Sequence, residues 1–333
     1  MRLPRKQKIV GAIPTRGLYK MKKEIYFERA IFLSWYCSKG DCKFCYMSTQ
    51  KDKIKNPKLA RRTKESVLAE VLLCKLFNWK IEFISGGYES YDFDELVDLI
   101  KDIKTGYGKK LWLNLGVLSE AELVRLKPYV EGISGAVECI NPKLRQEMCP
   151  SKPLNEIETM FKVCDKLGLK KSMTMILGLG ETINDFIYLK EFVDEQGIDQ
   201  ITFYRLKPQK DTVLENVEPI SKEYYADWVL KTHQEFPKLK IIAGSWLTHL
   251  DEISLLLESG ATGITKFPSI RKFNSKYAKQ IESEVLKSGM NLESNLTKKL
   301  KVDIKKEVQK LNLDEKLKNK IMLKLKSYLD SMN

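Results

Sequence analysis

Histidine is almost missing from this 333-residue chain, which has only His233 and His249. Both fall on segments that read as helices, far in sequence from the cysteine-rich stretch, so the pattern argues against a histidine-built zinc centre. No apolar run approaches the roughly 20 residues needed to cross a bilayer, and no membrane partner is expected. The basic start, Met1 to Lys8, has no apolar signal core, so the expected location is cytoplasmic. In that compartment the seven cysteines are read as ligands or buried thiols rather than disulfides. Zinc-finger spacing, an RNA-recognition signature and a helix-turn-helix pattern are missing too. The net charge of +14 is therefore read as the Lys-plus-Glu richness of a soluble protein, with much of the excess near the C-terminus. No nucleic-acid partner is expected. There is no internal repeat and no low-complexity linker.

What is present is a tight group of thiols. Cys37, Cys42 and Cys45 stand in the run from Trp35 to Tyr46 with the spacing C-x4-C-x2-C, and no fourth cysteine lies nearby. Three thiolates can hold three irons of a 4Fe–4S cluster and leave the fourth iron open to another ligand. An open metal position marks a site that does chemistry. Part of a zinc site and a set of buried thiols are the alternatives.

Around this group, apolar strand-like runs alternate with amphipathic helix-like segments. The strands are expected at Ile31–Ser34, Ile81–Ser85, Leu111–Gly116, Gly132–Val137, Ser172–Leu177, Gln200–Leu206, Leu239–Ala243 and Ala261–Lys266. Helices are expected at Lys64–Phe77, Phe93–Ile103, Glu120–Lys127, Leu154–Leu167, Ile183–Glu195, Lys222–Glu235 and Thr248–Glu258. The alternation predicts an α/β fold, a parallel (β/α)8 TIM-type barrel, with a doubly wound open sheet as the rival. In a barrel, chemistry belongs to the loops after the strands' C-terminal ends, and the cysteines directly follow the first strand. The expected division is an N-terminal extension over 1–27, a barrel over 28–285, and a basic helical tail over 286–333. From Leu296 to the end there is no glycine or proline, so the tail is read as helices outside the barrel, covering its bottom.

At these residues the chain resembles the radical S-adenosylmethionine (SAM) enzymes. The likeness is to the branch that includes biotin synthase, methylornithine synthase, a hydrogenase-maturation enzyme and the archaeal lipoyl synthases, and it runs through about residues 28–285. That family's usual spacing is C-x3-C-x2-C. The additional residue here falls in Ser38–Asp41, where Gly40 eases the turn. Tyr46 sits where the family has an aromatic residue after the last cysteine. Ser85-Gly86-Gly87-Tyr88-Glu89 matches the glycine-rich stretch that contacts the SAM amino group, and Gly178-Leu179-Gly180-Glu181-Thr182 matches a stretch of the biotin synthase branch. The resemblance implies a 4Fe–4S cluster on Cys37, Cys42 and Cys45, with SAM as cofactor. It implies Tyr46, Gly86, Gly87, Glu89, Glu138, Gly178 and Glu181 as cofactor-binding residues. Read alone, the Gly-Gly pair is a turn, Thr182 and Asp185 cap a helix, and the three glutamates are solvated loop carboxylates. A shared barrel face favours the functional reading for Gly86, Gly87 and Glu138.

The resemblance further implies that an electron from a donor such as ferredoxin or flavodoxin cleaves SAM, giving a 5′-deoxyadenosyl radical that takes a substrate hydrogen atom. Biotin synthase holds a second, sulfur-donating cluster. The matching positions here are Ile84, Trp112, Ser172 and Ser245, which are not its ligands, so the chain is not read as a biotin synthase. Cys139 and Cys149, around the loop after the fourth strand, are candidates for a second cluster or for substrate chemistry. Cys74 and Cys164 read as small buried hydrophobes. Two reactions follow. The expected one is sulfur insertion at an unactivated C–H bond of a carrier-protein-bound chain, as in lipoyl synthase, with the basic tail docking an acidic carrier. The other is a single-cluster rearrangement or fragmentation of a small molecule. A non-catalytic iron–sulfur scaffold is the reading from another class. Tyr204 and Arg205 are the candidate catalytic residues. Lys207, Ser245, Trp246 and Lys266 are further polar or aromatic groups at the mouth, and Arg205 and Lys207 suit a carboxylate or amide substrate.

Overall fold

The computed structural model describes residues 23–332. Eight parallel strands close into a ring: β1 (Glu24–Phe32), β2 (Lys80–Ser85), β3 (Leu111–Asn114), β4 (Val130–Glu138), β5 (Lys170–Leu177), β6 (Gln200–Arg205), β7 (Lys240–Gly244) and β8 (Gly263–Thr265). Each pairs with the next, and β1 pairs with both β8 and β2, which completes the barrel. The closed barrel is the expected fold, and the rival open sheet is excluded. Helices stand between the strands, several started by a side-chain cap. Thr63, Ser119 and Ser221 each accept from a backbone amide three residues on, which satisfies an otherwise orphaned donor.

The differences from the expected elements have local causes. β1 begins at Glu24, seven residues before the expected Ile31, because its charged residues are buried against partners. Glu28 accepts from Lys240 on β7 at 2.9 Å, and Arg29 pairs with Glu70 at 2.5 Å. A helix over Pro142–Met148 was not expected. Asn141 caps it by accepting from the amides of Lys143 and Leu144, with proline at the first helical position. The expected N-terminal extension over 1–27 lies outside the described residues except for 23–27, which belong to β1 or directly precede it.

After the barrel come a helix over Lys276–Lys287, a two-residue strand at Asn291–Leu292 beside the start of β1, and helices over Ile304–Gln309 and Glu315–Ser331. The segment around Asn295 crosses the barrel bottom, where its carbonyl accepts from Trp79 Nε1 at 2.7 Å. The last helix lies instead along the first barrel helix, Lys64–Leu76. It buries Ile321 and Leu325, and the Tyr328 hydroxyl lies 3.0 Å from Ser66 Oγ. Among the described residues no helix is long and apolar enough to cross a membrane.

Candidate active site

The cysteine loop lies over the C-terminal mouth of the barrel and is pinned on two sides. On one side the Ser38 amide donates to the Tyr88 carbonyl at 3.1 Å. A Cβ at Gly87 would stand 2.1 Å from the Tyr36 carbonyl oxygen and 2.5 Å from Cys37 Cβ. Only glycine lets the β2 loop come this close to the first cysteine. On the other side the Lys43 amide donates to the Met148 carbonyl at 3.0 Å. Gly40, at φ +45°, takes the turn that holds the additional residue.

Cys42 and Cys45 enter an apolar pocket with Phe44, Cys139, Cys149 and Leu179. A hydrogen bond with Cys149 pulls the Cys42 thiol down to about 7; Lys152 adds to this and burial opposes it. Cys149 is pushed up in return, first by Cys42 and then by burial. Burial pushes Cys45 up to about 11 and Cys139 up to about 12. The three loop thiols are all free of disulfides. Held on one short loop over the mouth, they fit the donor set of a 4Fe–4S cluster with one open iron.

Beneath the loop the barrel lumen is polar. Glu82 of β2 accepts from the Tyr204 hydroxyl and, at 2.5 Å, from Thr265 Oγ1. Burial pushes the Glu82 carboxyl up even though Lys266 opposes this, and burial pushes the Tyr204 phenol well up. The hydroxyls of Thr174 and Thr202, on adjacent strands, are buried without a hydrogen-bond partner.

The expected site residues divide into groups. Gly86 and Gly87 follow β2, Glu138 ends β4 and Gly178 follows β5, all at the mouth. Glu89 and Glu138 hold left-handed backbone, at φ +54° and +60°. Such conformations are costly for a non-glycine residue and collect at functional sites. Glu89 is exposed. Tyr46 is 48% exposed and lines a cavity of about 690 Å³ with Trp35 and Leu59. Glu181 is buried with its carboxylate turned back to accept from the amides of Gly178 and Leu179, at 2.7 and 2.9 Å, so it closes its own turn. Thr182 and Asp185 form the expected capping box. Tyr204 points into the lumen.

Arg205 requires a correction. Its parity on β6 turns it away from the lumen, where it pairs with Glu252 and donates to the Ile220 carbonyl. Exposures of 2% and 1% for the two side chains leave the guanidinium no access to a substrate. Cys139 and Cys149 do not stand apart as a separate ligand set; they share the pocket of Cys42 and Cys45. Cys74 and Cys164 are buried in the main core as expected. Among the described residues no group of three or more His, Cys, Asp or Glu side chains is drawn together tightly enough for a single metal ion.

Sequence reasoning passed over Glu82 and Lys152. Glu82 carried a readable signal: a lone carboxylate at an alternating position of an apolar strand, Lys80 to Ser85. Lys152, whose ammonium is stabilised by Cys42, Glu138 and Cys149 against the cost of burial, carried none, because its neighbours come from distant segments.

Comparison with known proteins agrees with this architecture. Residues 35–193 match the family described as the Radical SAM superfamily. An uncharacterised protein of Methanocaldococcus jannaschii is 44% identical over 274 residues, covering 82% of this chain and 76% of the relative. A biotin synthase of Methanococcus aeolicus is 28% identical over 196 residues, or 57% of this chain and 59% of that enzyme. Among solved structures, a methylornithine synthase superposes with a TM-score of 0.67 at 18% identity, covering 81% of this chain and 84% of that one. The SAM-bound enzyme SuiB of Streptococcus suis gives a TM-score of 0.51 at 15% identity, covering 77% and 57%.

Proposed function

We propose that this chain, which belongs to the radical SAM superfamily in its biotin synthase-like branch, carries out a single-cluster rearrangement or fragmentation of a small molecule. The observation that carries this reading is the placement of the cysteines. Cys37, Cys42 and Cys45 form the loop over the mouth, and Cys139 and Cys149 pack against Cys42 and Cys45 in one apolar pocket. Sulfur insertion of the lipoyl synthase kind needs a second cluster as sulfur source, and the remaining pair, Cys74 and Cys164, is buried in the core.

When bound, the cluster and SAM supply a hydrogen-abstracting radical. The chain's own residues do the rest. Gly86 and Gly87 let the β2 loop approach the cysteines, Glu138 offers a carboxylate at the mouth, and the lumen excludes bulk water from the reacting groups. Tyr204, held by Glu82, is the group at the centre of the lumen best placed to touch substrate. An electron donor such as ferredoxin or flavodoxin and a cytoplasmic location suit the low-potential chemistry and the free thiols.

The test is direct. Anaerobically reconstituted protein, reduced with dithionite in the presence of SAM, is expected to form 5′-deoxyadenosine, and Cys42→Ala protein to form none. Equal formation by the variant overturns the assignment. A non-catalytic scaffold would form none in either case.

A further inference from the structure

We infer that Lys266 binds a carboxylate of the substrate, in the half of the barrel mouth that the SAM landmarks leave free. Those landmarks follow β2, β4 and β5. The cysteine loop follows β1, so the free side is that of β6, β7 and β8, and the ends of these strands present a different set of groups. Lys266 Nζ lies 4.1 Å from the centre of the Tyr204 ring, 5.7 Å from that of Trp246 and 5.8 Å from that of Phe32. Its ammonium forms no ion pair among the described residues, although Glu82, Glu138 and Cys45 lie near enough to favour its charge against the cost of burial.

Three further observations support a built site. Lys266 holds left-handed backbone at φ +72°, a conformation that costs a lysine free energy and that a merely solvated side chain does not need. Gly244 makes the room: a Cβ there would stand 2.5 Å from Tyr204 Cδ1 and 3.0 Å from Lys266 Cγ. Two residues below Tyr204 on β6, Thr202 is 0% exposed, and its neighbour Thr174 on β5 is 1% exposed. Both hydroxyls lack partners. Buried polar atoms left unpaired are destabilising, so a polar ligand atom or a water at this depth would stabilise them.

The occupant these groups select is an organic carboxylate. Its charged end accepts from Lys266, its carbon chain lies on the Phe32 and Trp246 rings, and a second polar group reaches Thr174 and Thr202. A lysine held among aromatic faces is already partly stripped of water, so it loses little on meeting an anion. The inference rests on the radical SAM reading only for which half of the mouth is left over, and its test needs no SAM cleavage.

The probe is hexanoate against its neutral amide, titrated calorimetrically into the cluster-loaded full chain with SAM present and oxygen excluded. Hexanoate is expected to bind about tenfold or more tightly than hexanamide, the scale of one charged hydrogen bond. Lys266→Asn removes the ammonium while suiting the left-handed backbone, so the fold survives, as an unchanged melting temperature will verify. It should reduce hexanoate to the level of the amide without weakening SAM, and Lys266→Arg should restore the preference. Equal binding of acid and amide to the wild type, or no change in the Asn variant, overturns the inference. An equal loss of SAM affinity in that variant also overturns it, by assigning Lys266 to the SAM site. Failure of the radical SAM reading itself would appear separately, as absent 5′-deoxyadenosine.

Discussion

Gly87→Ala tests whether the β2 loop positions the cysteines. A Cβ at position 87 would stand 2.1 Å from the Tyr36 carbonyl oxygen, 2.5 Å from Cys37 Cβ and 2.7 Å from Cys37 Cα. Two of these atoms are backbone, so no flexible side chain can swing aside. The Cys37 backbone must move by roughly 1 Å, a displacement that in an active site can cost about a hundredfold in rate. The clash sits in a loop at the mouth and not in the core, so the loss of stability should stay within the ~1–3 kcal/mol of ordinary overpacking. Gly86→Ala is the matched control. Its nearest contacts would be Ser90 Oγ at 3.3 Å and Leu115 Cδ2 at 3.4 Å, which small side-chain shifts relieve. The assay is iron content after anaerobic reconstitution together with 5′-deoxyadenosine formation, with urea unfolding as the check on folding. Gly87→Ala should load poorly and cleave SAM slowly while remaining folded, and Gly86→Ala should stay close to wild type. A Gly87→Ala protein that loads fully and cleaves SAM at the wild-type rate refutes the positioning argument.

Arg205→Met leaves Glu252 buried and unpaired, so urea unfolding should show a loss of about 3–5 kcal/mol, most of it recovered in Arg205→Met/Glu252→Leu; no loss in the single variant contradicts the buried pair. Burial alone would push the Glu70 carboxyl up, but Arg29 at 2.5 Å and Arg62 at 2.7 Å outweigh it and hold it below the usual carboxylate range. Its stabilisation is therefore present above the ordinary carboxyl value of 4.5 and lost as pH falls below it. Glu70→Gln should be destabilised at neutral pH, and its deficit against wild type should shrink on acidification; a deficit that does not change with pH argues against this linkage. Ile321→Ala, in the last helix, should cost about 2–5 kcal/mol in urea unfolding and leave SAM cleavage by the folded protein unchanged, whereas altered cleavage would give the tail a role in the site.

The barrel was legible because its strands are short apolar runs set between amphipathic helices, and the cysteine loop because its three thiols are close in sequence. Side-chain direction at the mouth was legible in principle. Once Tyr204 is placed in the lumen, the period of two along β6 turns Arg205 outward. Strand position alone put Arg205 at the mouth, and that was the error. The early start of β1 was hidden because Glu28 and Arg29 look solvated in sequence, while their partners Lys240 and Glu70 lie 212 and 41 residues away. The meeting of Cys42 with Cys149 had no local signal for the same reason. Glu181 matched its motif, yet its carboxylate is taken up by the amides of its own turn, a competition that only coordinates reveal.

The measurement that bears most directly on the central claim is a cluster count. Mössbauer spectra with iron and sulfide analysis are taken on the anaerobically reconstituted wild type and on a Cys37→Ala/Cys42→Ala/Cys45→Ala variant. A single-cluster enzyme predicts one 4Fe–4S signal in the wild type and none in the variant. A variant that keeps a 4Fe–4S signal contradicts the account, makes Cys139 and Cys149 the ligands to examine, and returns sulfur insertion to the front.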